Sequence, residues 1–318
     1  MTPEQSAWFA ETFDTLVSNV GQALLGKDRT IRLALTAMLA EGHLLLEDAP
    51  GTGKTSLAKA LAATVQGTHH RIQFTPDLLP SDVTGVTIYD QGTHKFEFHQ
   101  GPVFASVVLA DEINRASPKT QAALLEVMEE GHVTVDGVTH SVGRPFMVIA
   151  TQNPIEQAGT YRLPEAQLDR FLIKTSLGYP DRASTIEILA GARDRTTNLA
   201  PRITTQAVGT MADLARTVHI DDAVLDYVAR LTEATRADAQ TALGASVRGG
   251  LALVRCAKVW AAAAGREYVL PDDVKDLAQP VLTHRLVLDT EAEFAGVRAD
   301  DVLERILETT APPVLRAV

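Results

Sequence analysis

Cysteine is almost missing from this chain of 318 residues. The single Cys256 excludes an intrachain disulfide and any metal cluster built on cysteine ligands. Aromatic residues make up only 5%, which disfavours a platform on which successive bases stack. Basic residues are in deficit, with 29 Lys and Arg against 40 Asp and Glu and a formal net charge of −11. Broad, sequence-independent binding of nucleic acid depends on neutralising phosphates, so this balance argues against it, while leaving room for a local basic lining. Long apolar runs are absent too. LLL at 44–46 and WAAAA at 260–264 fall far short of the roughly 20 residues that cross a bilayer. The opening MTPEQSAWFAETFDTL carries acids and no basic stretch ahead of an apolar one, so it does not read as a signal peptide. Together these absences point to a cytoplasmic protein without a membrane span, long enough for about two domains.

What is present is alternation. Short apolar runs interleave with helical patterns in the first half, the signature of a parallel α/β sheet. LLLE (44–47), HHRIQFT (69–75), SVVLADE (106–112), PFMVIAT (145–151) and RFLIKTS (170–176) read as strands. Leu57, Leu61 and Val65 form one helical stripe that Gly67 ends. Ser117-Pro118 is a cap and first residue for the helix KTQAALLEVMEE, which stops at Gly131. Two β-hairpins break the rhythm, at about 85–99 and at 132–142, the second turning on Asp136-Gly137. The α/β layout needs neither, and insertions of this kind are more often functional than architectural. From about Pro180 the pattern is helical only, with helices expected at 182–192, 204–217, 221–238, 246–264, 271–285 and 299–310. A boundary at 180/181 would therefore divide an α/β core from an all-α part.

The stretch DAPGTGKTS lies between a strand and a helix, where a phosphate cradle must lie. Backbone N–H groups of Gly51, Thr52, Gly53, Lys54 and Thr55 would face phosphates at the positive end of the helix, with Pro50 and Ser56 flanking them. Lys54 would reach the β- and γ-phosphates, and the Thr55 hydroxyl would hold Mg²⁺. The pattern G-x-x-x-x-G-K-[ST] wants glycine where this chain has Asp48. Aspartate enters the left-handed region more readily than most residues, so it is tolerable there if its carboxylate points away from the phosphates.

An apolar strand ending in Asp111-Glu112 supplies the second half of such a site. Asp111 would hold the Mg²⁺ shell and Glu112 would polarise an attacking water, which predicts hydrolysis. Asn153 follows the strand FMVIAT, and spacing alone leaves it open between orienting that water and turning the chain before Pro154. Arg170 in LPEAQLDRF is either a surface arginine favourable at a helix C-terminus or an arginine finger acting on a neighbouring subunit. Arg248, in the first turn of a helix, is unfavourable for the dipole and hints at a nucleotide partner. His94, His99, His132 and His140 fall on the two hairpins without tight ligand spacing, which favours solvated histidines over a metal site.

The combination resembles the AAA+ ATPases. DEINRASPKTQAALLEVMEE, ATQNP and YRLPEAQLDRFL are similar to the MoxR branch of that superfamily, over a match from about Leu25 to the C-terminus. The resemblance implies an AAA+ P-loop core at 1–180 and a helical lid at 181–318. It places Leu25 and Gly26 by the adenine, and Asp48 in a loop position where the family also departs from glycine. Lys54, Thr55, Asp111 and Glu112 match the Walker motifs, Asn153 matches sensor 1, Arg248 sensor 2 and Arg170 the finger. One departure is Val247, where MoxR-like chains often carry proline, so the backbone before Arg248 is less rigid. The implied activity is ATP hydrolysis to ADP and phosphate with Mg²⁺, in a homo-oligomeric ring, probable stoichiometry six. Its implied partners are client proteins, including von Willebrand factor A domain proteins. A nucleic-acid motor and an ATP-gated binding module with little turnover are the alternatives. Acidic charge counts against the first, and intact Glu112 and Arg170 against the second.

Overall fold

Strands buried on both faces read as continuous apolar sequence, and that is how this chain builds the middle of its sheet. The computed structural model describes residues 1–49, 51–153, 160–190 and 199–313. Strands form at Leu44–Glu47 (β1), His69–Gln73 (β2), Gly85–Asp90 (β3), Lys95–Gln100 (β4) and Val107–Asp111 (β5). They continue with His132–Val135 (β6), Val138–Ser141 (β7), Met147–Gln152 (β8) and Ile173–Thr175 (β9). One sheet has the order β2-β5-β8-β1-β9, with β2 to β5, β5 to β8 and β8 to β1 paired in parallel. Parallel pairing sends the carboxyl ends of β2, β5, β8 and β1 to one edge, the edge at which open α/β sheets bind ligands.

The helix Lys54–Thr64 buries Leu57 and Leu61 completely, each contributing about 1.5–3 kcal/mol. Helix Pro118–Glu130 starts where Ser117 accepts from the Thr120 amide, and it ends at Gly131 in the left-handed conformation. Both expected hairpins are present, as β3–β4 and β6–β7. Asp136 (φ 50°) and Gly137 (φ 79°) supply the positive dihedrals that a two-residue hairpin turn requires. The hairpins touch. Phe98 of β4 stacks on His140 of β7, with ring centroids 4.1 Å apart and planes at 22°.

Two compact units emerge, and they interleave along the chain instead of meeting at one cut near 180. The sheet unit comprises Thr15–Leu163 and Thr175–Gly209, and the helical unit Met1–Asp14, Pro164–Lys174 and Thr210–Val318. The physical reason is where each segment finds its partners. Phe171 gives its carbonyl to His284 and Arg285, which places 164–174 with the helices. The amides of Leu177 and Gly178 donate to Asp48, and the Ser176 carbonyl accepts from Thr30, which places the next segment with the sheet.

Helices Asp222–Ala237, Val247–Ala263, Pro271–Leu282 and Ala299–Thr309 make the helical unit around fully buried Tyr227, Leu231, Leu253, Leu277 and Leu303. The unit also holds a small antiparallel ribbon, Thr241–Leu243 (β10) with Val287–Leu288 (β11). The reading of helices alone from 180 onward passed over it, because segments this short show no alternation of period two.

Candidate active site

β1 buries Leu44, Leu45 and Leu46, and the chain leaves it at Asp48 to enter the glycine loop. Gly51 (φ 81°) and Gly53 (φ 100°) take the positive dihedrals that the loop demands. Nothing lies within 4 Å of where a Cβ would stand on either, so bulk is missing where phosphate oxygens would approach the amides. Thr52 is buried and its hydroxyl donates to the Ala49 carbonyl at 3.3 Å. Lys54 opens the following helix and is only 9% exposed, its Nζ donating to the Asp48 carbonyl at 3.1 Å and to that of Ala49 at 3.5 Å. Thr55 and Ser56 follow, half-buried, in the first turn. Pro50 lies outside the described residues. Open glycine edges, a lysine amine and a hydroxyl at a helix start fit a nucleotide's phosphates. The Thr55 hydroxyl and the Asp111 carboxylate are hard oxygen donors, the set Mg²⁺ takes.

Asp48 is absent from the residues with positive φ, so left-handed backbone is not what admits it, but its carboxylate meets the stated condition by turning to a neighbouring segment. Its carboxylate, in a residue 5% exposed, accepts from the Leu177 amide at 2.6 Å and the Gly178 amide at 2.8 Å. The carboxylate thus holds the neighbouring segment 177–178 to the start of the loop.

β5 delivers the acidic pair. Asp111 ends the strand, 8% exposed, and Glu112 takes a left-handed conformation (φ 56°, ψ 50°) that turns the chain. Thr151 on β8 joins them: its hydroxyl donates to Asp111 Oδ1 at 2.7 Å and accepts from the Glu112 amide at 2.8 Å. Arg71 of β2 donates to Asp111 Oδ2 at 2.6 Å and to Gln73 Oε1 at 2.7 Å. Gln73 Nε2 in turn donates to Glu112 Oε2 at 2.8 Å, and Arg115 Nη1 donates to the same oxygen at 2.9 Å. Buried Gln121 fixes the turn beyond by donating to the carbonyls of Ile113 and Ala116.

Sequence reasoning missed Thr151, Arg71 and Gln73. The register held the signal, since Gln73 pairs with Asp111, and Thr151 follows Ala150, the partner of Ala110. Asn153 is buried (7% exposed) one residue past β8. Because β5, β8 and β1 are neighbours, the acidic pair, Asn153 and the Lys54 loop share one edge of the sheet.

Leu25 is half-buried and Gly26 adopts φ 68°, where a Cβ would meet Ser184 Oγ at 2.8 Å. The other two expected residues belong to the helical unit. Arg170 sits in the turn after helix Glu165–Leu168. Arg248 is exposed in the first turn of Val247–Ala263, where Ser246 accepts from the Gly249 amide as N-cap. The hairpin histidines keep local company, His94 with Tyr89 and His132 with the Glu130 carbonyl. Among the described residues no group of three or more His, Cys, Asp or Glu could hold a metal ion, and no helix is long and apolar enough to cross a membrane.

A glycine loop after β1, an acidic pair after β5 and a polar residue after β8 are arranged as in the P-loop sheet of an AAA+ domain. The family model of the ATPase family associated with various cellular activities (AAA) matches residues 43–173, and that of the AAA lid domain matches 233–306. The chain is 41% identical to the chaperone MoxR1 of Mycobacterium tuberculosis, over 96% of this chain and 84% of that one. It is 45% identical to YeaC of Bacillus subtilis, over 95% of each. A crystal structure of a candidate ATPase from Cytophaga hutchinsonii superposes with a TM-score of 0.90 at 38% identity, covering 98% of both chains. The chain belongs to the MoxR family of AAA+ ATPases.

Proposed function

We propose that this protein hydrolyses ATP and uses the cycle to remodel or mature client proteins as a ring of identical subunits in the cytoplasm. The observation that carries the reading is the Thr151 hydroxyl, which fixes Asp111 and Glu112 to each other at the edge that also bears the Lys54 loop. Lys54 exchanges its loop carbonyls for the β- and γ-phosphates, whose charge it neutralises. Thr55 and Asp111 would hold Mg²⁺, which would supply further neutralisation of phosphate charge. Glu112 is the acceptor for a proton of the attacking water, and it is released for that role when Gln73 or Arg115 lets go of its carboxylate. Asn153 orients the same water. Arg248 addresses the nucleotide of its own subunit, and Arg170 that of the neighbour, stabilising charge in the transition state.

The Mycobacterium tuberculosis relative is named a chaperone, which supports a protein client, and family resemblance supports a partner with a von Willebrand factor A domain. The net charge of −11 supports protein over nucleic acid as the substrate of the motor. The test is turnover. Glu112→Gln should bind ATP and fail to hydrolyse it, while Lys54→Ala should lose nucleotide affinity. Arg170→Ala and Lys54→Ala subunits, each inactive alone, should recover part of the activity when mixed. Wild-type turnover by Glu112→Gln, or no recovery in mixed assemblies verified by co-purification of two tags, would refute the corresponding role.

A further inference from the structure

The helical unit contains an ionic cluster around the buried Arg285 that the proposed chemistry does not use. Arg285, 7% exposed, spreads its guanidinium over the turn that carries Arg170. Nε donates to Asp169 Oδ1 at 2.6 Å. Nη2 donates to the carbonyls of Asp169 at 3.1 Å and Phe171 at 2.8 Å, and Nη1 to that of Leu172 at 3.4 Å. Nη1 also donates to the Val281 carbonyl, on Arg285's own side of the cluster. The carbonyls immediately before and after Arg170 are thus held by one planar group whose donors cannot move independently.

The other oxygen of Asp169 leads elsewhere. Oδ2 accepts from the Ser246 hydroxyl at 3.2 Å, and Ser246 caps the helix whose first turn carries Arg248. That helix meets the cluster a second time at Gly249, where a Cβ would stand 2.9 Å from Arg285 Cδ. Glycine is disfavoured inside a helix, and here it gives the Arg285 stem the room it needs. All of these residues belong to the helical unit.

We propose that Asp169 is a positioning residue that ties the Arg170 turn to the start of the Arg248 helix, so that the two arginines shift as one piece. The inference rests on the reading in which Arg248 addresses its own subunit's nucleotide and Arg170 the neighbour's. Under it, a change at Arg248 when nucleotide binds is passed to Arg170 over the Asp169 carboxylate, and each subunit's nucleotide state sets the finger it offers next door. Coupling of this kind is a relation between two sites through an element that both of them bias.

Cutting the link while keeping the cap tests it. Ser246→Asp retains a capping acceptor for the Gly249 amide but cannot donate to Asp169, and sets two carboxylates against each other. Turnover at saturating ATP should fall about tenfold, the scale set by small misplacement of a catalytic group. ATP affinity, measured in the Glu112→Gln background, should stay unchanged, and the melting temperature should fall only slightly, because the repulsion lies at a solvent-exposed contact. Adding Asp169→Asn to Ser246→Asp restores a hydrogen bond with donor and acceptor exchanged, and turnover should recover most of the loss. A merely structural role would not produce that recovery. Wild-type turnover in Ser246→Asp, a matching loss of affinity or melting temperature, or no gain in the double variant overturns the proposal. Arg170→Ala, assayed alongside, separates the two ideas: if it is fully active the finger reading fails, whatever Ser246→Asp does.

Discussion

Asp48→Gly would bring the loop closer to the general phosphate-loop pattern, and on this structure it should weaken the fold. The carboxylate accepts two short hydrogen bonds, at 2.6 Å from Leu177 and 2.8 Å from Gly178, in a residue only 5% exposed. Removing it strands the buried Leu177 amide, at about 1–3 kcal/mol, while the part-buried Gly178 amide can turn to water. A glycine there adds backbone freedom to the unfolded chain, about 0.5–1 kcal/mol more. The expected loss is therefore about 1.5–4 kcal/mol in stability. Urea unfolding of nucleotide-free protein measures it, with Asp48→Asn as the size-matched control that keeps one acceptor. An Asp48→Gly midpoint equal to wild type would show that the tie to 177–178 carries no weight, and Asp48 would need an explanation on the phosphate side.

Thr151→Val keeps shape but removes the hydroxyl shared by Asp111 and Glu112, so turnover should fall on the order of 10–100-fold with ATP affinity largely kept; equal losses in both would point to simple misfolding. Burial, and then the Arg285 guanidinium beside it, holds His284 well below its ordinary pKa, so it is neutral when folded. The unfolded chain takes up that proton below about pH 6.5, and stability should decline there by up to about 1.4 kcal/mol per pH unit. That slope should flatten in His284→Asn if the assignment holds. The Cys256 thiol is fully buried and pushed up to about 12, so iodoacetamide at pH 8 should label it only after urea is added.

The central strands β1, β5 and β8 were legible because a strand buried on both faces is written as an apolar run, and both hairpins because Asp136-Gly137 and Gly92 punctuate alternating segments. The helix Pro3–Gly21 was equally legible from Phe9, Phe13, Leu16 and Val20, but a motif-led reading passes over a segment without chemistry. Loop and acidic pair could be found because phosphate chemistry constrains residues adjacent in sequence. Thr151, Arg71 and Gln73 could not be found that way, since what joins them to Asp111 and Glu112 is strand register across the sheet. The partners of the Asp48 carboxylate were out of reach for the same reason, lying 129 and 130 residues away. The interleaved units followed from Arg285 gripping 169–172, a contact that no local pattern announces.

The left-handed backbone of Glu112 has a consequence for anyone evolving this protein in the laboratory. A glutamate at φ 56° carries a strain of about 1 kcal/mol or more that glycine would shed, and asparagine would shed in part. Libraries sorted for heat resistance alone will therefore accumulate exchanges at this position, each yielding a hardier protein that has lost the carboxylate assigned to the attacking water. Stabilised variants should be sequenced at codon 112 before any loss of turnover is blamed on rigidity elsewhere.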